Sequence, residues 1–91
     1  MNRSKVMITG AASGIGRATA TRFANEDYDL CLNDIQSEKL KALLNELPEG
    51  NHLLLHGSYA DAKTIVEAEQ LIQKNWGSLN ALVNCAGMFE K

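Results

Sequence analysis

Thr9-Gly10-Ala11-Ala12-Ser13-Gly14-Ile15-Gly16 joins a short strand-like run, Lys5 to Thr9, to a segment of helical period that reaches about Asn25. A strand that leaves through glycines into a helix uses each of them differently. Gly10 takes backbone angles that a side chain would forbid. Gly14 lets a diphosphate approach the main chain closely, and Gly16 lets the helix pack tightly on the sheet. The start of the helix then offers unpaired N–H groups and a partial positive charge to phosphates. The spacing Gly-x-x-x-Gly-x-Gly is not the Gly-x-Gly-x-x-Gly dinucleotide fingerprint. It is not a P-loop either, because no Gly-Lys-Ser/Thr follows. By itself the stretch reads as a phosphate-binding turn or as a tight turn with no ligand.

Reading outward, Ile15, Ala18, Thr19 and Phe23 share one face of helix one. Strand two runs from Tyr28 to Asn33 and ends at Asp34, eighteen residues beyond Gly16. A carboxylate there can accept hydrogen bonds from both hydroxyls of an adenosine ribose, and it would repel a 2′-phosphate. The alternatives for Asp34 are an exposed loop residue or a cap for the next helix. Ser37 is the expected N-cap of helix two, whose Leu40, Leu43, Leu44 and Leu47 form a stripe that Pro48 and Gly50 end.

Strand three covers about His52 to Gly57, with both histidines read as plain strand residues. Asp61 caps helix three, Ile65, Ala68, Ile72 and Trp76 point inward, and Gly77 closes it in the left-handed conformation. Strand four, Ala81 to Asn84, leads into Cys85-Ala86-Gly87. This βαβαβαβ order predicts an α/β fold of three layers, a parallel sheet with helices on both faces. Residues 1–91 form one domain, or half of one.

Composition narrows the function. At 45% hydrophobic and 22% charged residues the chain is a globular one rather than a disordered one. A net charge of -2 gives no footprint for nucleic acid or an anionic membrane. Apolar runs such as Leu53 to Leu55 are far too short to span a bilayer, and no signal-peptide core follows the N-terminus, so a cytoplasmic address is expected. Cys31 and Cys85 lack the spacing of a metal site or a redox pair and read as reduced core thiols.

Taken together, Thr9-Gly10-x-x-x-Gly14-Ile15-Gly16, Asp34 and Leu82-Val83-Asn84-Cys85-Ala86-Gly87 resemble the short-chain dehydrogenase/reductase family. Its patterns are TGxxxGIG and LVNNAG, and the resemblance covers essentially the whole chain. It implies a Rossmann-type doubly wound sheet in strand order 3-2-1-4, truncated after strand four. It also implies that Gly10, Ser13, Gly14, Ile15 and Gly16 line a cofactor's ribose and diphosphate, with Ala86 and Gly87 along its adenosine. Asn84 resembles the family's structural asparagine, which ties strand four to its neighbours. Asp34 would select NAD over NADP, since Ser13 and Ile35 stand where NADP-preferring members place a basic residue.

The departures are Cys85 for the second asparagine of NNAG, Asn80 for an aspartate before LVN, and Asp27 for a glycine. Asp tolerates the left-handed conformation better than most residues, so that turn survives. Ser58 replaces the aspartate that often contacts adenine, and the Tyr59 backbone is the substitute contact.

The family's hydride transfer between nicotinamide and an alcohol or carbonyl uses a serine and a Tyr-x-x-x-Lys pair, all downstream of strand four. Tyr59-Ala60-Asp61-Ala62-Lys63 matches that spacing but lies at the exit of strand three and straddles a helix cap, so it is not read as catalytic. The 91-residue chain is therefore expected to be inactive as it stands. Three readings remain open: the cofactor-binding half of an oxidoreductase, a stand-alone nucleotide-binding module, and an interaction module without ligand. The uncovered apolar edge of strand four, or helix faces without partners, predict self-association. Substrate identity is not encoded here; Met88 and Phe89 read either as approaching a substrate pocket or as a frayed chain end.

Overall fold

The computed structural model describes residues 3–12 and 14–86. Seven elements alternate along the chain: β1 Lys5–Thr9, α1 Gly14–Asn25, β2 Asp29–Asp34, α2 Ser37–Glu46, β3 Leu53–His56, α3 Ala62–Asn75 and β4 Ala81–Asn84. The four strands make one parallel sheet in the order β3-β2-β1-β4. This is the expected Rossmann-type arrangement. The central pair carries the core because both of its faces are covered, which is why β2 is buried at all six positions.

Strand alternation divides the core in two. Val6, Ile8, Leu30 and Leu32 meet α1 and α2 on one face. Met7, Cys31 and Leu55 meet α3 on the other.

Two helical faces differ from expectation. In α1 the buried residues are Gly16, Ala20 and Ala24, whereas Ile15 is 46% exposed and Ala18 is also on the surface. The helix approaches the sheet so closely that only small residues fit beneath it, and bulk misleads as a guide to direction. Phe23 is half-buried and meets the Tyr28 ring edge-on at 4.8 Å. In α3, Thr64 and Ala68 are the buried pair and Ile65 is exposed, while Ile72 and Trp76 are half-buried as expected.

The caps follow chemistry more closely. Asp61 accepts from the Lys63 N–H, Gly77 closes α3 at φ 79°, and Asp27 takes φ 68° at the turn before β2. Ser37 is not the N-cap of α2. It is the first helical residue, and Gln36 before it makes no side-chain cap. His52 is not a strand residue either: its Nδ1 accepts from the Leu30 N–H at 3.1 Å and its Nε2 meets the Pro48 carbonyl at 3.0 Å. That pairing requires the Nε2-protonated tautomer. His56 ends β3, with its Nε2 3.1 Å from the Ile35 carbonyl.

Candidate functional site

Parallel strands bring all four C-terminal ends to one edge of the sheet, with the glycine turn near the middle. Gly10 leaves β1 at φ 66°, and a Cβ there would lie 2.7 Å from the Ala86 nitrogen and 2.9 Å from the Cys85 carbonyl carbon. Gly10 is thus required by the close passage of the chain after β4 as well as by its own angle. Gly14 starts α1 at φ 60°. A Cβ on Gly16 would run into the Gly10 carbonyl oxygen, so Gly16 closes the turn on itself. Gly14 and Ile15 are exposed at the start of α1, whose first turn carries no acid to oppose an anion.

Asp34 is 8% exposed and beside this turn. Its Oδ2 accepts from the Ala12 N–H at 3.0 Å and its Oδ1 from the Gln36 N–H at 2.9 Å. Asp34 is therefore not an exposed loop residue: it holds the glycine turn and the backbone just ahead of α2. An ionised carboxylate has about four acceptor sites, so two backbone bonds leave capacity for two hydroxyls.

On the other side of the turn, Asn84 Oδ1 accepts from the Thr9 hydroxyl at 2.5 Å. The same hydroxyl receives the Ala86 N–H at 3.3 Å, and the Thr9 carbonyl receives the Cys85 N–H at 3.1 Å. Asn84 does tie β4 to its neighbour, through a partner the sequence reading missed. Thr9 is fully buried. Its signal was a hydroxyl at the end of an otherwise apolar strand, where burial demands a partner.

Ser58 and Tyr59 lie at the far side, beyond β3. Ser58 is exposed, and its oxygen atoms accept from the Ala60 and Asp61 N–H groups, which shapes the local turn. Tyr59 is half-buried against the α3 side of the core. Ser13 and Gly87, and with them Met88 and Phe89, lie outside the described residues. Asn80 replaces the aspartate well: its Oδ1 accepts from the Lys5 N–H at 2.7 Å and its own N–H donates to the Lys5 carbonyl at 2.9 Å. Among the described residues no group of three or more potential metal ligands gathers, and no helix is long and apolar enough to cross a membrane.

The short chain dehydrogenase family matches residues 4–91. The chain belongs to that family. Among short-chain dehydrogenase relatives, a glucose 1-dehydrogenase of Gluconobacter oxydans is 42% identical over 89 residues, covering 91% of this chain and 32% of that protein. The (2S)-[(R)-hydroxy(phenyl)methyl]succinyl-CoA dehydrogenase subunit BbsD of Thauera aromatica is 36% identical over 85 residues, covering 90% and 34%. The crystal structure of a short chain dehydrogenase from Bacillus anthracis superposes with a TM-score of 0.86 at 29% identity, over 91% of this chain and 34% of that one. The chain spans about a third of the length of the relatives it matches. Members of the short-chain dehydrogenase family bind a nicotinamide dinucleotide, and the residues gathered at this edge fit its adenosine and diphosphate.

Proposed function

We propose that this chain is the part of an NAD-dependent short-chain oxidoreductase that holds the adenosine diphosphate half of the cofactor. The observation that supports the reading is the Ala12 N–H to Asp34 carboxylate bond, which puts the acid at the end of β2 beside the glycine turn after β1. In this reading the start of α1, where Gly14 and Ile15 are exposed, receives the diphosphate, and Gly10, Ser13, Gly14, Ile15 and Gly16 are the residues proposed to line it. Ala86 and Gly87 are the residues proposed to line the adenosine, and Asn84 and Thr9 hold Ala86 in place. The bound cofactor supplies the hydride acceptor or donor; this chain's residues bind and orient it.

Preference for NAD follows from charge. The Asp34 carboxylate repels a 2′-phosphate, Ile35 offers no cation, and the Arg17 guanidinium on α1 is engaged by Glu46. Equilibrium titration with NAD and NADP tests this. NAD is expected to bind at least about tenfold more tightly, and equal affinity would overturn the preference.

The chain by itself is proposed to bind without turnover. Its two tyrosines are Tyr28, beside Phe23 before β2, and Tyr59, packed on the core, and neither adjoins the glycine turn. In isolation it is also proposed to self-associate along β4, which among the described residues pairs only with β1 and leaves Leu82 47% exposed. Light scattering that shows only monomer at high concentration would remove that part. Free Cys31 and Cys85 accord with a reducing, cytoplasmic setting.

A further inference from the structure

Asn33 is 1% exposed, and both hydrogens of its side-chain amide are used. Nδ2 donates to the Leu55 carbonyl at 2.9 Å and to the Gly57 carbonyl at 3.0 Å. These acceptors straddle the exit of β3. Gly57 there has φ 139°, and a Cβ on it would meet the Thr64 hydroxyl at 2.6 Å. The Gly57 N–H in turn donates to the Asp34 carbonyl at 3.0 Å.

The same two residues hold the glycine turn. The Ala11 N–H donates to the Asn33 carbonyl at 2.9 Å, and the Ala12 N–H to the Asp34 carboxylate at 3.0 Å. Asn33 thus faces Thr9 in one register pair and Leu55 in the other, between two loops that it fastens separately. An apolar side chain could fill this place in the sheet. An amide there loses its hydration and is tolerated because both protons are matched. What it adds over an apolar residue is a fixed position for the Gly57 carbonyl, just beyond the end of the β2–β3 ladder, relative to the Leu55 carbonyl within it.

We propose that Asn33 is a positioning residue for the adenosine end of the cofactor. It holds the segment from Gly57 to Tyr59 in place relative to Asp34 and the glycine turn before any ligand arrives. The inference rests on the dinucleotide reading above. Asn33 touches no ligand; it acts through the backbone of Gly57 and Ser58, by removing an ordering cost that binding would otherwise meet.

The test compares Asn33→Ala with Leu40→Ala, a buried residue of α2 on the opposite face of the sheet whose loss also destabilises the chain. Two quantities are measured: NAD affinity by calorimetry, and amide hydrogen exchange at Gly57, Ser58 and Tyr59. Asn33→Ala is expected to weaken NAD about tenfold and to speed exchange at those three amides, whereas Leu40→Ala does neither selectively. Should Asn33→Ala fail to fold, Asn33→Ser, whose hydroxyl can reach one carbonyl, gives a smaller change in the same direction. Equal NAD loss in the asparagine and leucine variants overturns the proposal, as does unchanged exchange at the β3 exit. No NAD binding by the unsubstituted chain is a different failure. It removes the cofactor reading and the adenosine role with it, while exchange still reports whether Asn33 holds this segment.

Discussion

The Asp34 carboxylate accepts the Ala12 N–H at 3.0 Å, so the acid at the end of β2 fastens the glycine turn that follows β1. Its other oxygen takes the Gln36 N–H at 2.9 Å, ahead of α2. One side chain therefore serves the turn, the next helix and the proposed ribose. Substitutions that aim only at cofactor choice will disturb more than cofactor choice.

Asp34→Ala is expected to lower stability by about 1–3 kcal/mol, because two backbone N–H groups lose their acceptor at a largely buried site. Urea denaturation measures this. The same variant should lose NAD affinity while NADP affinity holds or rises, since the repulsion of a 2′-phosphate is gone.

The glycines separate steric need from conformational need. Gly16→Ala drives a methyl into the Gly10 carbonyl oxygen and is expected to abolish folding or to cost more than about 3 kcal/mol. At Gly77, where φ is 79° and nothing lies within 4 Å of an added Cβ, alanine meets only the left-handed penalty of about 1 kcal/mol. Thermal melts of the two variants should differ accordingly.

Acid should weaken the chain through Asp29, which lies at the opposite end of the sheet. Burial pushes its carboxyl pKa up, but the Lys5 hydrogen bond, the Asn51 N–H and the charges of Lys5 and Arg3 outweigh it and hold the group below its ordinary value. A folded-state pKa below the unfolded value of about 3.9 means stability that is present above that pH and lost as pH falls through the folded value. Lys5→Met should flatten the loss of stability below about pH 4 and lower stability near neutrality. Denaturation midpoints across pH 2–7, a range set by these carboxylate values, measure both effects.

The two thiols should be told apart by a chromogenic thiol reagent. Burial pushes the Cys31 thiol up to about 12, and its side chain is fully enclosed between β1, β3 and α3. Cys85 is half-buried next to the turn. Cys85 is expected to react first in the folded chain, and Cys31 only as the chain unfolds. Cys85→Ser should leave the native chain almost unreactive.

Element order and the position of the glycine turn were legible because they depend on local rules. Strand runs, a glycine exit and an acid at the next strand end need no knowledge of distant residues. The β3-β2-β1-β4 order came with the family resemblance. What stayed hidden was tertiary. The closeness of α1 to the sheet selects Gly16, Ala20 and Ala24 over Ile15, and no single residue announces that distance. Ser37 is not the cap because the helix begins one residue earlier than a Ser37 cap requires, with the Leu40 N–H already donating to the Gln36 carbonyl at 3.1 Å. Thr9 and Asn33 looked like ordinary strand positions, and only the pairing of strands distant in sequence gives their side chains partners.

The most direct measurement is an NAD titration of the isotopically labelled 91-residue chain, followed amide by amide in solution. The account predicts saturable shifts concentrated at Gly10 to Gly16, at Asp34 to Gln36 and at Cys85 to Gly87, smaller in Asp34→Ala. Shifts centred instead on the Arg3, Asn51 and Trp76 end of the sheet, or no shifts at all, would contradict it.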